Sequence, residues 1–568
     1  MNSSQISLYP EEGEINHYSA FSKLLGPILQ STKTRELHLR FSQGWYDAET
    51  YGKLVNDGDT SGGTGVELWA LIESGSRDDA YGNWFKLFNS LSGLFCASLN
   101  FIDSSSTTYP VTLFQPKSSL LQTNLLQNDT YLLRSSLPGE PVCTENLTPF
   151  LKLLPTKGKA GISSLLTGNK VFNSQWSSMS IDILTECEGE GESTKCYYNM
   201  KQSINLILNL PKTLERNKMP IPKPTPGSEL RCDMSKHYDL YHCFPLPEPT
   251  EWNYNLHDLF GKEIEGGALI SSEPSKVCAD VNSNTWKSDV YYKGKQASSI
   301  DSENCVDLTG SHGYNIVFDT SNSKEIVPVE TPPIYASRSL SGYSQDRGYF
   351  RLDLLNPASK PSRIVIFESL PWFMRIYLHT ITISSINETT STTYKITENE
   401  NAGDIIDEII YDPSIDRVSP SHLELLVTIP ASTKLKISFE FDKAMLLYAE
   451  YPPDANHGFE IPPSVIALLD DEDDQKVIYE MRTTTSLLTL PTPDFSMPYN
   501  VIILSSTVMS LAFGSIFNLL IKRTVTEEEA EYYANASLLT VVKSKIGAKV
   551  QAIKSLLKKG KKVEEKEE

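Results

Sequence analysis

The residues of this 568-residue chain most open to covalent chemistry are eight cysteines, all between Cys96 and Cys305. None stands in a CxxC pair, and no Cys/His spacing suggests a zinc site. Cys187 and Cys196 bracket a Gly/Glu-rich loop, a spacing that suits a local disulfide, and Cys232 with Cys243 and Cys278 with Cys305 suit the same arrangement. A framework of this kind belongs to oxidising compartments. Cys96 lies in the apolar stretch Gly93-Leu-Phe-Cys-Ala-Ser-Leu99, which reads as a buried, inert thiol. Cys143 lies in a polar, proline-bounded segment, Pro141-Val-Cys-Thr-Glu-Asn-Leu-Thr-Pro149, which reads as exposed. Two readings stand for these last two: a Cys96–Cys143 bond, or an unpaired Cys143 that bridges to another chain.

Enzymatic chemistry has little to rest on. The chain has no GxSxG elbow, HExxH, Walker loop or GxGxxG. A Cys–His nucleophile needs a reduced cysteine, which conflicts with a disulfide-favouring setting. No catalytic residue, cofactor or metal ligand is assigned, and the acidic run Asp470–Asp474 reads as a solvated loop. N-glycosylation sequons stand at Asn128 and Asn387, with further matches at Asn2 and at Asn146, where Pro149 follows the acceptor Thr148; Asn535 carries another.

These residues are placed by one apolar run, Val501–Ile521, followed at once by Lys522 and Arg523. A bilayer-spanning helix needs about 20 such residues. After Ile521, eleven Lys and Arg against eight Glu leave the tail at +3, so the rest of the chain carries −23 of the total −20. The positive-inside rule puts the tail, with Asn535, in the cytosol and every cysteine on the far side. An acidity of that size argues against nucleic acid as a partner. Met1–Ile6 has neither charged n-region nor apolar h-region, so the expectation is that the natural N-terminus is missing.

Residues 17–30 show helix-like spacing, Glu36–Phe41 alternates as a strand, and Gly65–Ile72 is a second strand. Trp84–Phe95 reads as an amphipathic helix running into a strand over Cys96–Ile102, with further strands at Tyr131–Leu133 and Ser203–Leu210. From about residue 330, Ser362–Glu368, Met374–Ile383, Leu423–Ile429 and Thr433–Phe441 alternate at period two. The expected fold class is mixed and β-rich: an α+β lumenal region over 1–218, a Pro-rich linker or loop over 219–228, a lumenal region with an antiparallel β-sandwich over 229–489, a juxtamembrane segment 490–500, one transmembrane helix 501–521 and a cytosolic tail 522–568.

Several long segments resemble the PIG-T family, the non-catalytic lumenal glycoprotein subunits of the GPI transamidase complex. They are Arg35-Glu-Leu-His-Leu39, Phe41-Ser-Gln-Gly-Trp45, Leu91–Asp103, Val142-Cys-Thr-Glu-Asn-Leu-Thr-Pro-Phe-Leu-Lys-Leu-Leu-Pro155, Pro371-Trp372, Asp454–Phe459 and Leu490–Val501. The resemblance implies a single-pass endoplasmic reticulum protein that scaffolds attachment of GPI anchors to precursor proteins. It implies as partners a caspase-like catalytic subunit, PIG-K, together with PIG-S, PIG-U and a metallopeptidase-like anchor-attachment subunit, with GPI lipid and precursor within reach. It also implies that Cys143 forms the disulfide to the catalytic subunit and that Cys96 stays a buried thiol. Two departures stand out: Thr156 replaces a cysteine that family members can carry, and Phe150 replaces a tryptophan. The alternative is a cell-surface or lumenal binding glycoprotein unrelated to GPI transfer.

Overall fold

The computed structural model describes residues 21–564 apart from short segments, the longest being 219–227, 233–242, 246–251, 267–273, 323–328, 387–390 and 396–404. The Pro-rich segment (all but Ser228), Asn2 and Asn387 therefore lie outside the described residues. Residues through Thr492 form one compact unit and those from Pro493 onward another.

The alternation at Glu36–Phe41 and Gly65–Ile72 produces the central strands β1 (Thr34–Gly44) and β2 (Gly65–Ser74). With β3 (Asp129–Leu137), β4 (Trp176–Glu188) and β5 (Lys195–Ile207) they make an antiparallel sheet of order β3-β2-β1-β4-β5. One face presents Leu37, Leu39, Phe41, Val66, Leu68 and Ala70 to an apolar core. Helices α1 (Leu25–Ser31), α3 (Arg77–Phe95) and α4 (Thr144–Leu153) cover it, while short α2 (Ala48–Tyr51) and α5 (Gly168–Phe172) lie in the connections. Helix α3 buries Trp84, Leu87, Phe88, Leu91 and Phe95, one stripe at helical spacing. It begins at Ser76, whose hydroxyl accepts the Asp79 N–H at 3.2 Å, and ends at Cys96 in left-handed conformation, φ 51°. The strand expected over Cys96–Ile102 is thus a helix cap followed by a 3-10 turn over Ser98–Phe101; the apolar residues there serve a chain reversal against the core.

The opposite face of this sheet packs on a second antiparallel sheet of order Ile406–Asp412, Ser421–Ile429, Ser362–Leu370, Val465–Leu469, Val477–Arg482. The apolar run at 364–367 explains how. Val365 and Phe367 join Trp69 and Phe114 in the contact with the first sheet, while Ile364 and Ile366 point the other way. On that side they share a core with Phe350, Leu352, Ile437 and Phe439 of a third sheet, built on Arg347–Asn356 and Thr433–Lys443. A strand covered on both faces reads as a continuous apolar run. The expected strand Met374–Ile383 is in fact three pieces: Met374–Ile376, a 3-10 turn Leu378–Thr380, and Thr382–Ile386. Tyr377 starts the turn, and its hydroxyl bonds Asp442 at 2.5 Å. Two separate segments thereby pair with the same strand, Thr433–Lys443.

Residues 252–320 contribute a smaller four-stranded sheet with its own core, including Val290, Leu308 and Ile316. Leu165 from the first region enters that core, and Gly161 bridges to Glu265. The second unit contains helices Ser496–Ile521, Glu527–Asn535 and Leu538–Glu564. The first has 26 residues and mean hydropathy 1.7, long and apolar enough to cross a membrane. It starts five residues before Val501, so the expected juxtamembrane segment is partly helical. Pro498 sits in the first turn, where a missing N–H goes unneeded.

Candidate assembly site

Three cysteine pairs close within the chain: Cys187–Cys196 with sulfurs 2.01 Å apart, Cys232–Cys243 at 2.17 Å and Cys278–Cys305 at 1.97 Å. The first lies at a directly opposed position of β4 and β5, and the second likewise joins opposed residues of a two-stranded ribbon. Cys96 and Cys143 are both free thiols and are not bonded to each other. Cys96 is exposed, which corrects the expectation of a buried thiol. Its neighbours Phe95 and Ala97 go into the core, but the left-handed turn at the end of α3 aims position 96 outward.

Cys143 is partly exposed at the N-terminal boundary of α4. Its N–H donates to Asn146 Oδ1 at 2.8 Å, and Asn146 Nδ2 donates to the Phe95 carbonyl at 2.9 Å. Asn146 is buried and thereby ties the start of α4 to the end of α3. A buried asparagine with its amide nitrogen so engaged is a structural residue and a poor glycosylation acceptor. Asn128, by contrast, is exposed at the edge of β3. On the far side of Cys143, Gly168 lies against Thr144: a Cβ there would meet Thr144 Cγ2 at 2.0 Å. Leu147, Phe150 and Leu153 anchor the inner face of α4, and Gln202 of β5 donates to the Phe150 carbonyl at 2.9 Å. Partial burial, with the Glu145 carboxylate 2.7 Å from the sulfur, pushes the Cys143 thiol above its ordinary range. The cysteine is therefore a weak attacking thiolate.

The plane between the first and second sheets holds buried charge that the sequence reading did not single out. Glu67 of β2 accepts from Arg134 at 2.6 Å and from Arg482 at 2.8 Å. Burial disfavours the Glu67 carboxylate, but Arg482 and Arg134 outweigh it and bring its pKa from 4.5 down to about 2. Glu424 accepts the backbone N–H groups of Val111, Thr112 and Leu113 at 2.7, 2.7 and 3.1 Å and bonds His422 at 2.7 Å. His38 lies between Asp182 at 2.5 Å and Glu36 at 2.7 Å; burial alone would lower its pKa, and the two carboxylates raise it. Glu67 and Glu424 join parts of the chain hundreds of residues apart and act as docking elements, whereas His38, Glu36 and Asp182 lie on the adjacent strands β1 and β4 of one sheet. Among the described residues no cluster of His, Cys, Asp and Glu could hold a metal ion. The acidic loop pairs instead with lysines: Asp471 with Lys360 at 2.6 Å and Asp470 with Lys476 at 2.8 Å.

A layered β-rich body with closed disulfides, together with one helix long and apolar enough to cross a membrane, defines a class: a disulfide-stapled β-rich protein with a candidate membrane anchor. A family model described as Gpi16 subunit, GPI transamidase component, matches residues 2–547. The GPI transamidase component GPI16 of Saccharomyces cerevisiae is 46% identical over 520 residues, covering 91% of this chain and 83% of that protein. The human GPI-anchor transamidase component PIGT is 30% identical over 548 residues, covering 90% and 85%. This chain belongs to the Gpi16 family and is a subunit of the GPI transamidase complex. That removes the alternative of a glycoprotein unrelated to GPI transfer. Among solved structures, the collagen-binding subdomain ACE19 of an Enterococcus faecalis surface protein aligns with a TM-score of 0.20 at 12% identity, over 29% of this chain and 100% of that one. So low a score carries no argument.

Proposed function

We propose that this subunit is the non-catalytic scaffold of the complex, tethered by a disulfide from Cys143 to the caspase-like catalytic subunit. One observation supports the reading: six of the eight cysteines pair within the chain, leaving the exposed Cys96 and the partly exposed Cys143 free, and of these two Cys143 is the one in the segment that resembles the family's tethering motif. A tether turns docking into an intramolecular event, raising effective concentration and fixing geometry at the membrane.

In this reading 1–218 and 229–489 are lumenal, with an antiparallel sandwich formed by the second and third sheets. The helix that includes 501–521 spans the membrane and 522–568 is cytosolic. Asn128 and Asn387 carry glycans, and Cys187–Cys196, Cys232–Cys243 and Cys278–Cys305 staple the lumenal part. PIG-S, PIG-U and the metallopeptidase-like subunit complete the assembly. The test is Cys143→Ser in the full complex. A heterodimer band lost from non-reducing gels, with the subunit still folded and co-purifying, supports the tether; a band that survives overturns it.

A further inference from the structure

One feature of the fold lies apart from Cys143. A cavity of about 280 Å³ opens where the start of α3 and the 104–109 loop meet the 412–422 segment of the second sheet. That is close to the lower end of the size range of ligand sites. Arg77 lies with its guanidinium carbon 3.9 Å from the centre of the Tyr109 ring and makes no ion pair among the described residues. Tyr81 lines the same space, with the carboxylates of Asp78 and Asp412 and four serine or threonine residues. His422 forms part of the wall. It is 3% exposed, its Nε2 is held by Glu424 at 2.7 Å, and its Nδ1 has no protein hydrogen-bond partner among the described residues.

The mixture selects a ligand class. A bound anion would be drawn to Arg77 but repelled by Asp78 and Asp412, and a cation would meet the reverse. A neutral polyol satisfies both, because each hydroxyl donates to a carboxylate or imidazole nitrogen and accepts from a guanidinium or another hydroxyl. The half-buried tyrosines offer apolar surface beside polar edges, which suits the C–H faces of a sugar ring. We propose that this cavity binds one neutral hexose residue of a glycan. Given the transamidase reading, on which the choice of sources rests, that hexose belongs either to the GPI headgroup or to an N-linked chain.

Saturation-transfer NMR on the detergent-solubilised complex tests this, with deacylated GPI headgroup glycan in one arm and free N-glycan oligosaccharide in the other. Transfer to hexose protons in either arm is expected, falling at least fivefold in both Tyr109→Ala and Asp412→Asn. Asp412 is exposed, so its conservative replacement leaves the fold intact if Tyr109→Ala disturbs it. A stronger response to one glycan assigns the source. No transfer in either arm, transfer that survives Asp412→Asn, or displacement by a precursor C-terminal peptide overturns the proposal. A tethered complex that binds no glycan fails this inference alone; loss of the heterodimer band on Cys143→Ser bears on the scaffold reading separately.

Discussion

Glu67→Gln is the most informative perturbation of the docking plane. The carboxylate is 2% exposed and accepts from Arg134 and Arg482 on two different strands, 67 and 415 residues away in sequence. Each pKa unit is worth about 1.36 kcal/mol, so a carboxyl drawn from 4.5 to about 2 corresponds to roughly 3 kcal/mol of stability. The amide also leaves a buried guanidinium without its partner, a defect that typically costs about 3–5 kcal/mol. Arg482 keeps Glu480 at 2.6 Å, but Glu67 supplies the one described ion pair of Arg134. For a unit of this size, unfolding as a whole at about 2.1 cal/mol/K per residue, the expected loss is roughly 3–5 °C in Tm at pH 7. The sign follows from a depressed folded pKa. The stabilisation is complete above pH 4.5, the unfolded value, and disappears as pH falls through about 2. Differential scanning fluorimetry of wild type and variant at pH 7, 6 and 3 should give a constant gap between the first two and a smaller one at the last. A gap below 1 °C at pH 7, or one that widens at pH 3, would refute the idea that this carboxylate bonds the two sheets.

Three further outcomes are expected. Gly168→Ala drives a methyl into Thr144 Cγ2 at 2.0 Å; a misfit costing about 1–3 kcal/mol should lower Tm and reduce the Cys143-linked heterodimer on non-reducing gels, and adding Thr144→Ser should restore both. Asn128→Gln should remove one endoglycosidase-sensitive mobility step, whereas Asn146→Gln should leave mobility unchanged and lower stability by about 1–2 kcal/mol through its lost bonds at 2.8 and 2.9 Å. Replacing 490–500 with a flexible Gly/Ser linker should reduce recovery of the complex, measured by affinity purification in mild detergent; unchanged recovery means that the prolines there do not set the approach to the membrane.

Strands β1 and β2 and the strands at 362–370, 421–429 and 433–443 were legible because period-two alternation follows from the pleat itself. Alternation does not say what covers each face. His38, Arg40 and Glu67 alternate with core residues as they would on a solvated sheet, yet all three are buried: Glu67 meets Arg482 of the second sheet, hundreds of positions later, and Arg40 lies under the 59–62 loop. No local pattern encodes that pairing. At Cys96 an apolar neighbourhood suggested burial, but backbone handedness decides where a helix-terminal side chain points. The brace around Cys143 was not legible: Cys143-x-x-Asn146 lacks the Ser/Thr and Glu/Gln of the usual helix-start box, and the contact with Gly168 comes from tertiary packing.

The buried charges bear on how a scaffold could do its work. Two apolar sheet faces can slide or re-register at modest cost, since burial is non-directional. Ion pairs and carboxylate-to-backbone bonds cannot, because each depends on distance and orientation. In this chain they lie at the plane that separates the layer holding Cys143 from the layers that lead to residue 491. There, Tyr451 donates to the Pro491 carbonyl, immediately before the segment that continues toward the apolar helix. Glu67 with Arg134 and Arg482 supplies one point of registry and Glu424 on the 111–113 backbone a second. Arg338, bonded to Glu368 at 3.3 Å and to the Ile461 carbonyl at 3.1 Å, does the same one layer further on. The tether proposed at Cys143 requires that the body carrying the thiol transmit position. Directional bonds at successive interfaces provide that stiffness where apolar packing alone would provide only cohesion.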